Sequence, residues 1–140
     1  MSKVISLTSV YDNQDSPRVL YELLKERTPE MNISFRMPTE AQHMQFFCSK
    51  PYEHWYLIVV DGAVVGNVYL TKLREVGIFI FTTHQRNGYG RSAVEQLKAL
   101  HPGKLLANIN PKNERSKALF KGLGFKHIQE TYELEAYEQT

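Results

Sequence analysis

The sequence predicts an α/β fold, a mixed β-sheet with helices on both faces, in the order β-α-α-β-β-β-α-β-α-β-β. Three stretches predict it. First, Trp55-Tyr56-Leu57-Ile58-Val59-Val60 is an apolar run that meets Asp61-Gly62, a tight hairpin signal, with 64–73 as its partner strand. Second, another strand follows directly at 75–82, and consecutive hairpins make an antiparallel meander. Third, Gln85-Arg86-Asn87-Gly88-Tyr89-Gly90 joins that strand to the helical pattern beginning Arg91-Ser92-Ala93-Val94, and a strand at 104–110 comes after it. A strand-helix-strand unit returns parallel to its first strand, with a right-handed crossover.

The remaining elements follow in order. Val4-Ile5-Ser6-Leu7-Thr8-Ser9-Val10 alternates as a strand does. Asp15 or Ser16 caps a helix with Pro17 at its first position, and Val19, Leu20, Leu23 and Leu24 form its apolar stripe. Pro29 ends it. A second helix starts near Thr39, carries Met44 and Phe47, and stops at Pro51. The helix after the glycine loop runs to about Leu100 and meets His101-Pro102-Gly103. The last helix spans 113–123 and ends at Gly124; 125–130 and 132–136 read as closing strands. No linker, repeat or low-complexity stretch divides the chain, so residues 1–140 read as a single domain.

Composition excludes several classes of function. Hydrophobic residues make up 42% of the 140 residues, which is enough for a packed core. Seventeen basic against fifteen acidic residues leave a net charge of +2, with no basic block, so nucleic acid is not an expected partner. The longest apolar runs are too short to cross a bilayer, and Met1-Ser2-Lys3-Val4 lacks the apolar core of a signal peptide. The lone Cys48 permits no internal disulfide, which fits a reducing cytoplasm. No His, Cys, Asp or Glu spacing points to a metal site.

The glycine loop is the chemical signal. The first N–H groups of a helix lack intrahelical partners, and the helix dipole adds partial positive charge there. Gly88 and Gly90 remove the Cβ atoms that keep a ligand from those amides. The expected ligand carries phosphates. A P-loop needs Lys-Ser or Lys-Thr after its last glycine, whereas Gly90 is followed by Arg91-Ser92. Gly88-x-Gly90-x-x-Ala93 fits a dinucleotide fingerprint, but Ala107-Asn108-Ile109-Asn110 offers no acid for the ribose.

Gln85-Arg86-Asn87-Gly88-Tyr89-Gly90 matches Q/R-x-x-G-x-G/A, and the segment from Asn113-Glu114-Arg115-Ser116 through Phe120 to Gly124-Phe125 matches N-x-x-S-x-x-x-F/Y-x-x-x-G-F. Together these motifs resemble the GNAT superfamily of acyl-coenzyme A-dependent N-acetyltransferases. The resemblance implies a fold whose parallel strands splay apart to hold acetyl-coenzyme A. It implies that the backbone of Ile80, Phe81 and Thr82 pairs with pantetheine, and that amides from Gln85, Arg86, Asn87, Gly88, Tyr89 and Gly90 hold the pyrophosphate. It places Asn113 on the pantetheine arm, Ser116 among the cofactor-binding residues, and Arg91, Arg86, Lys117 and Lys121 near the outer phosphates. For these cations, a solvated surface charge is the alternative.

Acyl transfer needs a deprotonated amine, so a base or a water relay must take a proton. The resemblance places Glu75, at the start of the strand leading to the loop, as the catalytic base; a solvated carboxylate is the alternative. Glu40-x-x-His43-x-x-x-Phe47 resembles an acceptor-site helix in the branches acting on sugar-nucleotide amines and on protein N-termini, which makes His43 a substrate residue. His54 is a second one. Phe120 stands where many members carry a tyrosine that protonates the leaving thiolate. The expected function is transfer of acetyl to a primary amine of a small molecule, with a nucleotide-linked amino sugar as the candidate acceptor, by a monomer or homodimer. An inactive coenzyme A-binding scaffold and a protein N-terminal acetyltransferase are the alternatives.

Overall fold

The structure, a computed structural model, describes residues 3–27 and 36–136. The elements are β1 (Ile5–Ser9), α1 (Ser16–Lys25), α2 (Glu40–Cys48), β2 (His54–Val60), β3 (Ala63–Leu70), β4 (Glu75–Ile80), α3 (Tyr89–Leu100), β5 (Leu106–Ala107) and α4 (Glu114–Gly122). They form a five-stranded sheet in sequence order, antiparallel except for the parallel β4–β5 pair. The expected mixed sheet is observed.

Local chemistry explains most boundaries. Asp61 and Gly62 both take positive φ, 50° and 84°, as a two-residue hairpin turn requires. At α2, Thr39 and Gln42 form a reciprocal capping box: the Gln42 N–H donates to Thr39 Oγ1 at 3.1 Å, and the Thr39 N–H to Gln42 Oε1 at 2.9 Å. Asp15 precedes α1 but makes no side-chain cap; Pro17 sits in the first turn. Gly124, at φ 94°, ends α4 in the left-handed region. Pro29, expected to stop the first helix, lies outside the described residues.

The sheet separates two apolar layers. On one face, Ile58, Val68, Leu70 and Val76 pack against Ala93, Val94 and Leu97 of α3 and Phe120 of α4. On the other, Trp55, Leu57 and Phe79 pack against Leu20 and Leu23 of α1. Full burial of a side chain such as Leu57 contributes about 1.5–3 kcal/mol, so these layers hold the helices on the sheet.

Two expectations fail. The strand foreseen at 104–110 shortens to Leu106–Ala107, because pairing with β4 is confined to those two residues; the chain then turns at 110–113, where the Asn113 N–H donates to the Asn110 carbonyl. The closing strands at 125–130 and 132–136 do not form. Ile128, Tyr132 and Leu134 are 70%, 86% and 96% exposed. Alternation gives a segment the capacity to pair, but a strand also needs a partner edge, and β5 pairs with β4 over only two residues.

Candidate active site

The fork between β4 and β5 makes the first half of the site. The two strands pair only at Glu75–Leu106 and Val76–Ala107; beyond that point they part. The Phe81 N–H donates to the Val65 carbonyl at 2.8 Å, and the Glu75 carbonyl accepts from the Thr71 N–H. The Arg74 carbonyl, one residue off, accepts from the Leu106 N–H of β5. Backbone groups alternate sides along a strand, so Ile78 and Ile80 turn theirs into the fork. Phe81 is therefore corrected: its N–H is spent on Val65 and its carbonyl on the His84 N–H. Ile78 takes its place among the cleft-lining strand residues.

The glycine loop closes this cleft. Gly88 caps α3 at φ 77°, and a Cβ built there meets no protein atom within 4 Å. The α3 ladder begins with the Ser92 N–H donating to the Gly88 carbonyl at 3.1 Å, so the amides of Tyr89, Gly90 and Arg91 precede it. At Gly90 a Cβ meets Ile78 and Leu119 side chains at 3.6 Å, so α3 lies close to β4 and α4. Arg86 takes positive φ, 67°, strain of the kind that gathers at ligand loops.

The other sequence-named residues divide by what they touch. Gln85 donates from Nε2 to the Ile80 carbonyl at 3.0 Å and accepts from Arg115. Asn87 donates to the His84 carbonyl at 3.0 Å; both side chains build the loop. The Tyr89 ring is buried, with its hydroxyl at 3.2 Å from Lys3 Nζ, so only its backbone is near the cleft mouth. Arg91 pairs with Glu95 at 3.1 Å. Lys117 pairs with Glu114 at 3.2 Å. The Asn113 carbonyl oxygen caps α4 by accepting from the Ser116 N–H at 3.1 Å, and both residues line the cleft. Thr82 is held by Glu26, whose Oε1 accepts from its N–H and its hydroxyl. Arg115, which also lines the cleft, carries no distinguishing signal in the sequence.

A second cavity, of about 440 Å³, opens on the other face of the sheet. Trp55, Asn67 and Tyr69 form its floor; Leu20 and Leu23 wall it from α1, Arg27 from just past the end of α1, and His43 and Phe46 from α2. The Trp55 indole N–H donates to Asn67 Oδ1 at 3.0 Å, both groups buried. Losing that acceptor leaves a buried donor unsatisfied, at a cost of about 1–3 kcal/mol. Tyr52 stacks on Tyr69 with ring centroids 3.7 Å apart, and burial pushes its phenol well above the usual range. Arg27 borders both cavities.

His43 lines this pocket. Its Nε2 lies 3.0 Å from the Pro17 carbonyl, which can only accept, so Nε2 carries the proton and Nδ1 the lone pair. Burial lowers its pKa, which keeps the ring neutral at pH 7. His54 is corrected. It shares the strand face of Tyr56 and Ile58, opposite Trp55, and stacks on His101 with centroids 3.5 Å apart. Glu75 lines neither cavity: the Thr71 hydroxyl donates to one carboxylate oxygen at 3.3 Å, and the Asn108 amide to the other. Among the described residues no cluster of His, Cys, Asp and Glu suits a metal ion, and no helix is long and apolar enough to cross a membrane.

The cleft at the glycine loop and the second cavity share a wall at Arg27. The profile of the Acetyltransferase (GNAT) family matches residues 18–125, and the chain belongs to that family. The structure of yncA from Salmonella typhimurium, 18% identical with a TM-score of 0.65 and covering 89% of this chain and 80% of the other, holds its cofactor acetyl-CoA. A domain from Methanocaldococcus jannaschii is similar in structure, with 22% identity, a TM-score of 0.77 and 94% of each chain covered. Spermidine N-acetyltransferase from Vibrio cholerae, in complex with CoA and spermine, is 15% identical with a TM-score of 0.76, covering 96% of this chain and 86% of the other. A phosphinothricin acetyltransferase from Sinorhizobium meliloti, in complex with AcCoA, is 22% identical with a TM-score of 0.66, covering 90% and 76%. No curated protein sequence matches the chain.

Proposed function

We propose that this protein acetylates the primary amine of a small molecule. The observation that carries the reading is the shared wall at Arg27, which sets the second pocket beside the cofactor cleft. Structural neighbours named for spermidine and phosphinothricin support a small acceptor. A nucleotide-linked amino sugar is one amine of this kind, but neither neighbour is named for such a substrate.

Acetyl-coenzyme A supplies the acyl group as an activated thioester. The backbone of Ile78 and Ile80, the amides of Tyr89, Gly90 and Arg91, and Asn113, Ser116 and Arg115 would hold it. The cleft-facing N–H groups of Ile78 and Ile80 are fixed donors, of the kind that stabilise an oxygen gaining charge. Glu75 takes the amine proton through a water relay. Its support is position on the sheet: the carboxylate is oriented by Thr71 and Asn108 at the paired start of β4 and β5, on the strand face shared with Phe79. The scaffold alternative rested on Phe120. That ring is 4% exposed and packs on Phe125 at 5.0 Å, so it belongs to the core.

Release of coenzyme A thiol, measured with acetyl-coenzyme A and a panel of amines, tests the reading. Amine-dependent release is expected, with Glu75→Gln slowing it about 10²–10⁴-fold. A protein that binds coenzyme A but releases no thiol with any amine is a binding domain.

A further inference from the structure

The charges around the second pocket reach past the amine to what else the acceptor carries. Among the described residues, no aspartate or glutamate lines this cavity, whereas Arg27 and Arg36 both do. The carboxylates of α1 are turned elsewhere: Glu22 pairs with Lys25 at 3.1 Å, and Glu26 holds Thr82. Glu40, at the start of α2, is exposed. Burial favours the neutral form of two other lining groups, lowering the pKa of His43 and raising that of the Tyr52 phenol. Among the described lining residues the charged groups are therefore two guanidinium ions, set against walls of Leu20, Leu23, Phe46 and Trp55.

We propose that the acceptor is an amine that also bears an oxyanion, a carboxylate or a phosphorus acid, on an apolar body small enough for this cavity. The proposal rests on the acetyltransferase reading and narrows its substrate. Arg27 is the anion's principal partner. Because it borders both cavities, an anion held there lies at the junction, and an amine a few bonds away lies beside the cofactor cleft. Arg27 and Arg36 also make contacts within the protein. A guanidinium has five N–H donors in a planar fork, enough to serve a protein partner and an oxyanion together. A polycation meets the opposite situation. Its extra ammonium groups find no carboxylate among the described lining and face two guanidinium ions, a repulsion that strengthens as water is expelled.

The test compares amines that differ only in the anion. kcat/KM is measured for phenylalanine against phenethylamine, leucine against 3-methylbutylamine, and an aminoalkylphosphonate against the matching alkylamine, with spermidine as the polycation. Coenzyme A affinity is measured separately by calorimetry. At least a tenfold preference for the anion-bearing member of a pair is expected, and the pair showing it distinguishes carboxylate from phosphorus oxyanion. Arg27→Met should collapse that ratio, and Arg27→Lys should restore part of it. A merely structural Arg27 would lower both members equally and leave the ratio intact, which overturns the proposal. So would equal rates for the pairs in the unaltered protein, or a preference for spermidine. Absent coenzyme A binding would instead overturn the acetyltransferase reading itself.

Discussion

Glu26 holds both donors of Thr82: one carboxylate oxygen accepts from the backbone N–H at 2.7 Å and from the hydroxyl at 2.8 Å. The bond ties the end of α1 to the end of β4, just before the glycine loop. It also occupies an amide that the family resemblance assigns to the cofactor. A carboxylate there acts as an internal competitor for the donor and repels an incoming anion.

Replacing Glu26 by alanine should therefore tighten coenzyme A binding several-fold. Hydrogen bonds to a charged group contribute about 1.5–3 kcal/mol, and cofactor entry no longer has to break them. Calorimetric titration checks this. Weaker binding in the variant would show that Glu26 positions α1 for the cofactor instead.

Gly77 is the close approach that lets Tyr69 lie flat on β4. A Cβ added there would fall 1.9 Å from the Tyr69 ring. Gly77→Ala must push Tyr69 off β4 and disturb its stack on Tyr52. A loss of about 1–3 kcal/mol in urea unfolding is expected, with a raised KM for the amine and little change for acetyl-coenzyme A. Unaltered amine KM would show that Tyr69 takes no part in shaping the acceptor pocket.

The sequence shows local chemistry well and tertiary choices poorly. Asp61-Gly62, Thr39 with Gln42, and the loop from Gln85 to Gly90 each carry their structure in their own residue types, and each is observed. The strand 75–82 is equally plain, but which of its residues face the fork depends on the phase of the ladder with β3. The family resemblance names Ile80, Phe81 and Thr82, whereas the period-two phase of the ladder turns Ile78 and Ile80 into the fork. The same phase separates Trp55, in the pocket floor, from His54 on the far side. Arg27 gives no sequence signal at all, because its importance comes from two cavities meeting at the end of α1.

His43 makes stability depend on pH. Burial lowers its pKa below the ordinary 6.5 in the folded state. The unfolded chain then binds the proton more readily, so stability is full above pH 6.5 and declines as pH falls from there through the folded-state value. The melting temperature should fall between pH 7 and about pH 5, and fall less in His43→Gln. Parallel declines in both proteins would assign the effect to other groups, such as His101, whose pKa burial also lowers.

Phe120→Tyr tests whether departure of the thiolate lacks an acid. Position 120 is buried against Phe125, and its side chain does not line the cleft. A hydroxyl there finds no partner and costs about 1–3 kcal/mol. Lower stability with unchanged or mildly reduced turnover is expected. A tenfold gain in turnover would show that the missing hydroxyl limits the reaction.

The most direct test of the cofactor cleft is a calorimetric titration of coenzyme A into the unaltered protein and into Gly88→Val. Gly88 has positive φ and open space where a Cβ would lie, so valine both strains the loop and blocks phosphate approach. The fold should survive, because backbone strain of this kind costs about 1–3 kcal/mol. The cleft predicts binding in the unaltered protein and at least a tenfold loss in the variant, with circular dichroism unchanged. Equal affinity in the two proteins, or no binding in either, would contradict it.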